Sequence, residues 1–241
     1  MSRPTAPHRA AGAPRPPAVG VDVVDLGDRR CQGKAADTRF VERVMAPVEA
    51  EAIAAAPDPD MALWRLWASK EAAFKVVSKM EGGPPTFVHA TFVAAGEGAV
   101  LWQGIEVPVR LEVRDDALVA LAWEPPGGSG AGVRWDVVTP DALDPAPDLE
   151  LEALVRRHLH EEERPPVHSR PSALVRLGAR RALATALAVD EARVSVVCPV
   201  GSAGRTPPVA RLDGAPVAAD VSLSHHGRYL AWAVRVAVPS P

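Results

Sequence analysis

Cysteine is scarce in this chain: only Cys31 and Cys198 occur among the 241 residues. A scaffold of several disulfides is therefore excluded, and two reduced thiols are the simplest expectation. No apolar run approaches the ~20 residues that a membrane-spanning helix needs. The N-terminal stretch MSRPTAPHRAAGAPRPP also lacks the apolar core of a secretory signal. It predicts a disordered tail over residues 1–17 and, by default, a cytoplasmic protein.

Strong net charge is lacking as well. The formal net charge is -3, with 47% hydrophobic and 24% charged residues. This balance gives no general affinity for nucleic acid or for membranes, and it is ordinary for a globular protein. The length allows one large domain or two small ones.

The predicted elements suggest two lobes. Each half runs from a strand through helices to further strands, although no repeat of individual residues is obvious. The Gly- and Pro-rich stretch PPGGSGAG predicts a linker at 125–132, between an N-terminal lobe at 18–124 and a C-terminal lobe at 133–241. The predicted fold class is α+β: two similar lobes form a pseudo-dimer, and each combines an antiparallel sheet with packed helices.

Apolar patterns and turn residues place the individual elements. In the first half they predict a buried strand at 18–26, a helix broken at Pro47, a helix capped by Asp58 or Asp60 and ended by Gly82–Gly83, and strands within 87–123. In the second half they predict strands at 133–138, 193–198, 209–214, 219–225 and 229–238, and helices at 149–163 and 169–189, the latter capped by Ser169.

The stretch LWRLWASKEAAFKVV places Lys70, Glu71 and Lys75 within a large apolar helix surface. Glu71 and Lys75 are one turn apart and share a face with Trp64 and Trp67. An arbitrary pair of this kind would be solvated and contribute only a few tenths of a kcal/mol. Its position beside buried surface suggests a second possibility, that the charges face an internal site.

Asp22 lies inside the predicted first strand, where an unpaired carboxylate is costly. Taken alone, it is best interpreted as capping a turn or pairing with an arginine. Together with Glu71 it offers two hard oxygen ligands, which with waters and phosphate oxygens suit Mg²⁺. Asp25 is a possible third ligand, but it faces the opposite side of a regular strand and is expected at the surface or in a turn.

Hydroxyl and imidazole groups gather at the end of another predicted strand, SLSHHG, as Ser222, Ser224, His225 and His226. Such groups suit phosphate oxygens, although a lone histidine is more often structural. The loop GSAGRTPPV adds Arg205, which is either a phosphate ligand or simply solvated.

Three segments of the first half, VGVDVVDL, FVERVMAPVE and WASKEAAFK, occur in an order and spacing that resembles the 4'-phosphopantetheinyl transferase superfamily, in particular its small holo-acyl-carrier-protein synthase type. SRPSALVRLGARRAL, GRTPP and SLSHHGRYLAWAV are similar to the N-terminal half of the larger, surfactin-synthetase-activating type. The halves stand here in exchanged order. Val24 also replaces an acid that is common in the large type, which leaves two protein carboxylates for the metal.

The resemblance implies transfer of 4'-phosphopantetheine from coenzyme A to a serine of an apo acyl or peptidyl carrier protein, with Mg²⁺ as cofactor and adenosine 3',5'-bisphosphate released. It implies that Asp22 and Glu71 hold the metal, with Glu71 or a metal-bound water as the base. Lys75 would contact a phosphate or the leaving group, and Lys70 would support phosphate or orient Glu71. Coenzyme A would be bound by Arg170, Arg205, Ser224 and His225.

A basic patch is expected to meet the acidic helix that such carriers present. The candidates are Arg39 and Arg43, extended by Arg29, Arg30 and Lys34, although a merely solvated face is nearly as good an interpretation. A two-lobed chain needs no partner copy, so a monomer is expected. Two other functions stay open: a non-catalytic protein that binds coenzyme A or a carrier, and a metal-dependent hydrolase of the same diphosphate.

Overall fold

The computed structural model describes residues 16–83, 89–96, 98–125, 130, 132–201 and 204–237. Within these ranges the helices are α1 (Thr38–Val44), α2 (Pro47–Ala55), α3 (Pro59–Met80), α4 (Leu151–His158) and α5 (Arg170–Leu187). The strands are β1 (Val19–Asp25), β2 (Val93–Ala94), β3 (Ala99–Trp102), β4 (Ile105–Arg114), β5 (Ala117–Trp123), β6 (Val133–Val138), β7 (Val194–Val197), β8 (Val200–Gly201), β9 (Gly204–Arg205), β10 (Val209–Leu212), β11 (Ala215–Pro216), β12 (Ala219–His226) and β13 (Tyr229–Val236).

The fold is α+β, as the sequence predicts. In the first lobe the antiparallel sheet has the strand order β1-β5-β4-β3-β2, and α3 packs across it. In the second lobe β6 pairs with β13, β13 with β12, and β10 with β7, while β10 lies next to β12. The order β6-β13-β12-β10-β7 matches that of the first lobe strand for strand, with α5 in the place of α3.

A buried carboxylate occupies corresponding positions in the two lobes. Glu49 accepts hydrogen bonds from the backbone N–H of Ala46 and of Ala94 in β2, and it pairs with Lys70 of α3. Glu163 accepts from the N–H of His160 and of Val196 in β7, and it pairs with Arg180 of α5 at 3.4 Å. This is the residue-level correspondence that the sequence did not reveal.

Helix α3 is defined by a clear start and end. The Asp58 side chain accepts a hydrogen bond from the Met61 N–H at 2.9 Å, and Pro59 occupies the first turn, where its missing N–H costs nothing. No glycine or proline follows until Gly82. The helix buries Leu63, Ala68, Ala72, Ala73, Val76 and Val77 against β1, β4 and β5.

Gly20 allows α3 to approach β1 closely. A Cβ at this position would overlap the carbonyl oxygen of Ala72 and press on Val76. We expect Gly20→Ala to lower the free energy of unfolding by about 1–3 kcal/mol, because the helix backbone must move to admit the methyl group. Urea denaturation measures the change. Gly83→Ala is the control, because in the described part of the chain a Cβ there meets no atom within 4 Å; equal losses in the two variants would contradict the argument.

The lobes pack through one face of each sheet. Side chains of β1 and β5 meet those of β13 and β6 in a shared hydrophobic core: Val19, Val21, Val23, Ala117, Val119 and Leu121 against Tyr229, Ala231, Ala233, Val133, Trp135 and Val137. Lobe-to-lobe contact is therefore part of the hydrophobic core.

Two predicted elements differ from the structure. The helix expected over 149–163 ends at His158, because Leu159 adopts an extended backbone and Glu163 turns inward to bind β7. The strand expected from Phe87 becomes a 3₁₀ turn at His89–Thr91 followed by the short β2. Residues 84–88 lie outside the described part.

Some boundaries stay predictions. Of the predicted tail, only Pro16 and Pro17 are described, and Pro16 is buried. Of the predicted linker, only Pro125, Gly130 and Gly132 are described. No helix in the described ranges is both long enough and apolar enough to cross a bilayer.

Candidate functional site

The outer edge of β1 is covered by side chains of the second lobe. β5 pairs with one edge of β1, and alternate N–H groups on the other edge donate to every second side chain of β12. We call this contact the seam. Its pairs are Val19 N–H to Asp220 Oδ2 (2.7 Å), Val21 N–H to Ser222 Oγ (3.0 Å), Val23 N–H to Ser224 Oγ (3.3 Å) and Asp25 N–H to His226 Nδ1 (3.0 Å).

Two lysines of α3 cover the carbonyl groups along the same edge. Lys75 Nζ donates to Val21 O at 2.7 Å, and Lys79 Nζ donates to Val19 O at 2.6 Å. Lys79 also pairs with Asp220 at 2.7 Å. Because these positions are four residues apart, both ammonium groups reach the edge from one face of the helix.

Asp22 lies beneath the seam, next to Lys75 and Ser224. Lys75 Nζ lies 2.9 Å from Asp22 Oδ1, and Ser224 Oγ donates to the same oxygen at 2.8 Å. Burial raises the pKa of Asp22, the positive charge of Lys75 opposes that rise, and the negative charge of Glu71 adds to it. The carboxylates of Asp22 and Glu71 therefore share one electrostatic environment.

Glu71 is held by a histidine that the sequence analysis did not single out. Glu71 Oε1 lies 3.0 Å from His89 Nε2, and both side chains are about one-fifth exposed, at 21% and 22%. The His89 ring stacks on Trp67 with 4.4 Å between ring centroids. Trp67 is one helical turn before Glu71, so ring and carboxylate lie on one face of α3.

A cleft opens between the lobes beside Lys75 and Ser224, and Asp22 and Glu71 are not among its lining residues. We call it the interlobe cleft; its volume is about 320 Å³. From the first lobe it is lined by Phe74, Lys75, Ser78 and Lys79, and from the second by Ser172, Val175, Arg176, Cys198, Thr206, Pro207, Pro208, Ser222, Leu223, Ser224 and His225.

Positive and polar groups converge on the cleft from the second lobe. Arg176 donates to Ser172 O and Ser172 Oγ at 2.6 and 2.8 Å and to Cys198 Sγ at 3.3 Å, while its buried Nε has no partner in the described part of the chain. Although His225 is exposed to solvent overall, desolvation by the surrounding protein lowers its pKa, and the charges of Lys75 and Arg176 lower it further. The cleft is electropositive and suits an anionic ligand.

Adjacent histidines have different surroundings. His225 is exposed and lines the cleft, whereas His226 points to the seam and accepts the Asp25 N–H. Ser222 likewise binds the β1 backbone, and Ser224 contacts both Val23 and Asp22.

Two residues expected to contact coenzyme A are engaged elsewhere. Lys70 is fully buried on the other side of α3, where it donates to Val44 O at 3.1 Å and pairs with Glu49. The guanidinium of Arg170 donates to Asp144 Oδ2 and to the carbonyls of Ala146 and Leu149. Both therefore have structural roles, and neither lines the cleft.

Asp25 is buried at the end of β1, rather than exposed at the surface. Its carboxylate accepts from the Gly27 N–H and forms a two-point ion pair with Arg228, which holds its pKa below the usual range. Both carboxylate oxygens of Asp25 are thus already bound within the protein, which removes it as a third metal ligand.

Other predicted residues lie at the surface or outside the described part. Arg39 and Arg43 are both exposed on α1, and the Arg43 guanidinium lies 5.5 Å from the ring of Phe40. Arg30 pairs with Asp28, and Lys34 with Asp37. Arg205 belongs to β9, but its side chain lies outside the described part of the chain.

Sequence reasoning missed His89, Arg176 and Ser172. Ser172 and Arg176 are four apart in the predicted helix and so share one of its faces, which is a signal that the sequence does contain. For His89 the sequence contains no such signal, because its contact with Glu71 depends on how the segment after α3 folds back against that helix. Among the described residues no group of three or more His, Cys, Asp or Glu side chains could hold a metal ion.

Comparison with known proteins gives one family match. The model of the 4'-phosphopantetheinyl transferase superfamily matches residues 18–122. Residues 18–122, which make up nearly all of the N-terminal lobe, are therefore similar to this superfamily. The matched residues include Asp22, Glu71 and Lys75, and they end just before the last residue of β5.

Two solved structures overlap with parts of the chain. The holo-[acyl-carrier-protein] synthase (AcpS) of Neisseria meningitidis is 20% identical, with a TM-score of 0.34 over 44% of this chain and 95% of that chain. The corresponding Thermotoga maritima synthase is 16% identical, with a TM-score of 0.32 over 60% of this chain and 79% of that chain. No curated protein matches.

Proposed function

We propose that the protein transfers 4'-phosphopantetheine from coenzyme A to a serine hydroxyl of an apo acyl or peptidyl carrier protein. The observation that supports this most is the interlobe cleft. It brings Lys75 of the N-terminal lobe, which matches the transferase family model, together with Arg176 and His225 of the C-terminal lobe. One lobe offers acids and a lysine for the reacting diphosphate, and the other offers cations for the rest of an anionic donor. This division also supports a pseudo-dimer with one complete site in a monomer.

Glu71 is the proposed general base. It accepts the proton of the carrier serine as the serine oxygen bonds to the phosphorus next to the pantetheine arm. The bond from that phosphorus to the bridging oxygen then breaks, and adenosine 3',5'-bisphosphate leaves with the electron pair. Lys75, on the next turn of α3, places an ammonium group where negative charge develops on the leaving group.

Asp22 and Glu71 would together hold a Mg²⁺ ion. Lys75 and Ser224 both bind Asp22 through Oδ1, and His89 binds Glu71 through Oε1, so Oδ2 and Oε2 are the oxygens we assign to the metal. Two carboxylates with waters and phosphate oxygens form a normal Mg²⁺ site, and the raised pKa of Asp22 fits a carboxylate placed for a cation. When bound, the ion would neutralise charge on the diphosphate.

The remaining anionic groups of coenzyme A are assigned to the second lobe. Arg176 and His225 face the cleft, and Ser224 adds a hydroxyl beside Asp22. Arg176 takes the role that the family resemblance implied for Arg170. Arg205 stays a proposed ligand of coenzyme A, and the assignment depends only on the sequence of its loop, GSAGRTPPV. The exposed Arg39 and Arg43 of α1 form the proposed surface for an acidic helix of the carrier.

Incubation with coenzyme A, Mg²⁺ and a panel of apo carrier proteins tests the proposal. Mass spectrometry of the carrier is expected to show the added phosphopantetheine, and the serine variant of the same carrier is expected to show none. Coenzyme A breakdown without a mass gain would indicate a diphosphate hydrolase instead. Coenzyme A binding without either change would indicate a binding protein, and both results would contradict transfer.

The neighbouring histidines give a matched pair of variants. We expect His225→Ala to raise the KM for coenzyme A about tenfold, the loss of about one charged hydrogen bond, with little change in unfolding. His226→Ala removes the acceptor of the Asp25 N–H in the seam, so it is expected to lower stability by about 1 kcal/mol and to leave this KM within about twofold. Steady-state kinetics and urea denaturation measure the two effects. An unchanged KM for His225→Ala would remove it from the site.

A further inference from the structure

We propose that His89 is a positioning residue that holds the Glu71 carboxylate in its working orientation. This inference rests on the proposed function, since it concerns the group assigned there as base and metal ligand. His89 lies in a 3₁₀ turn after α3, 18 residues along the chain from Glu71. It contacts the one carboxylate of α3 that the mechanism requires.

The geometry suits a rigid support. The His89 ring is nearly parallel to Trp67, at an interplanar angle of 22° and a centroid distance of 4.4 Å. Trp67 is fixed in turn by Phe40 and Trp64, at 5.6 and 6.2 Å between centroids. Stacking on a fixed indole leaves the imidazole little freedom to rotate, so the direction of its Nε2–H bond is set by the aromatic cluster.

The hydrogen bond from His89 restricts the orientation of the Glu71 carboxylate. A glutamate side chain has three rotatable bonds, and the last one is broad in energy, so the carboxylate plane is poorly defined without a partner. The 3.0 Å contact from His89 Nε2 to Oε1 fixes that plane and directs Oε2 away from the histidine. Donation by a neutral imidazole is sufficient for this, so the effect does not require His89 to change its charge.

Outer hydrogen bonds of this kind orient carboxylates that bind metals or protons, and their loss commonly reduces affinity or activity about 10- to 100-fold. His89 touches neither the donor nor the carrier in this proposal. Its contribution should therefore appear in kcat and in metal affinity, while the KM for coenzyme A, which depends on the other lobe, should change little.

Two variants separate the ring from the hydrogen bond. His89→Phe keeps a flat ring to stack on Trp67 but cannot donate to Glu71, whereas His89→Gln loses the ring and keeps an N–H donor. We expect His89→Phe to lower kcat about 10- to 100-fold and to weaken Mn²⁺ binding, measured by electron paramagnetic resonance without substrate, by a similar factor. We expect His89→Gln to recover most of both values, with the KM for coenzyme A within about twofold of wild type in each variant.

Several results would overturn the inference. Wild-type kcat and Mn²⁺ affinity in His89→Phe would show that the contact is dispensable. Equal losses in both variants, together with weaker coenzyme A binding and unfolding at lower urea concentration, would show a purely structural histidine. If the wild-type protein fails to load any carrier, the proposed transfer reaction is wrong, but the Mn²⁺ measurements still decide whether His89 orients Glu71.

Discussion

Glu71→Gln is expected to reduce carrier loading about a thousandfold or more while leaving the fold intact. The amide keeps the size of the side chain and an oxygen for the contact with His89, but it can neither accept the serine proton nor supply a full negative charge to a cation. Single-turnover assays with saturating coenzyme A measure the chemical step directly. Circular dichroism and urea denaturation should match the wild type, because Glu71 is partly exposed and the amide oxygen can keep its contact with His89.

The same helix provides a matched control. Glu81→Gln makes the same chemical change at the exposed C-cap of α3, and it is expected to keep wild-type loading within about twofold. If Glu71→Gln turned over as fast as Glu81→Gln, Glu71 would be neither the base nor an essential metal ligand. Another group, with Asp22 as the next candidate, would then have to accept the serine proton.

Lys70→Met is expected to be the most destabilising of the substitutions considered, at about 3–5 kcal/mol of unfolding free energy. The reason is the partner that it leaves behind: Glu49 would remain as a fully buried carboxylate with only backbone N–H groups to bind it. Burial lowers the pKa of Lys70, and the hydrogen bond and charge of Glu49 oppose that shift. Urea denaturation monitored by tryptophan fluorescence measures the loss.

Lys34→Met provides the comparison for an exposed ion pair. Lys34 pairs with Asp37 at 2.6 Å, but the two side chains are 30% and 44% exposed, and such pairs contribute at most about 1 kcal/mol. A loss below about 1 kcal/mol in Lys70→Met would show that water reaches Glu49. It would also weaken the assignment of Lys70 to a structural role and reopen its predicted contact with phosphate.

The sequence was most informative where chemistry and local pattern coincide. Helix α3, with its Asp58 cap, and the buried strand β1 around Asp22 are predicted by the spacing of apolar residues and by capping and turn residues. Both appear as predicted. The expected encounter of Asp22, Glu71 and Lys75 needed only one further step, because a helix that packs on a strand brings neighbouring faces together. In the structure Lys75 pairs with Asp22 at 2.9 Å, and the negative charge of Glu71 raises the pKa of Asp22.

The sequence was least informative about charged residues with ambiguous partners. Lys70 and Lys75 are both lysines of one helix, and only the position of α2 shows that Lys70 points toward Glu49 instead of the cleft. Arg170 and Arg176 present the same difficulty on α5. Arg170 pairs with Asp144 in the preceding loop, whereas Arg176 lines the cleft. A helical period gives the face of a residue, but it does not identify the element that covers that face.

The seam places the two ends of the described chain side by side. Val19 at the start of β1 binds Asp220, whose neighbour Ala219 pairs with Val236 at the end of β13. Joining these ends and opening the chain within 125–132 would therefore give a circular permutant whose C-terminal lobe comes first. Every strand pairing and both walls of the cleft would be retained, so the order of the lobes along the polypeptide is independent of the architecture that they build.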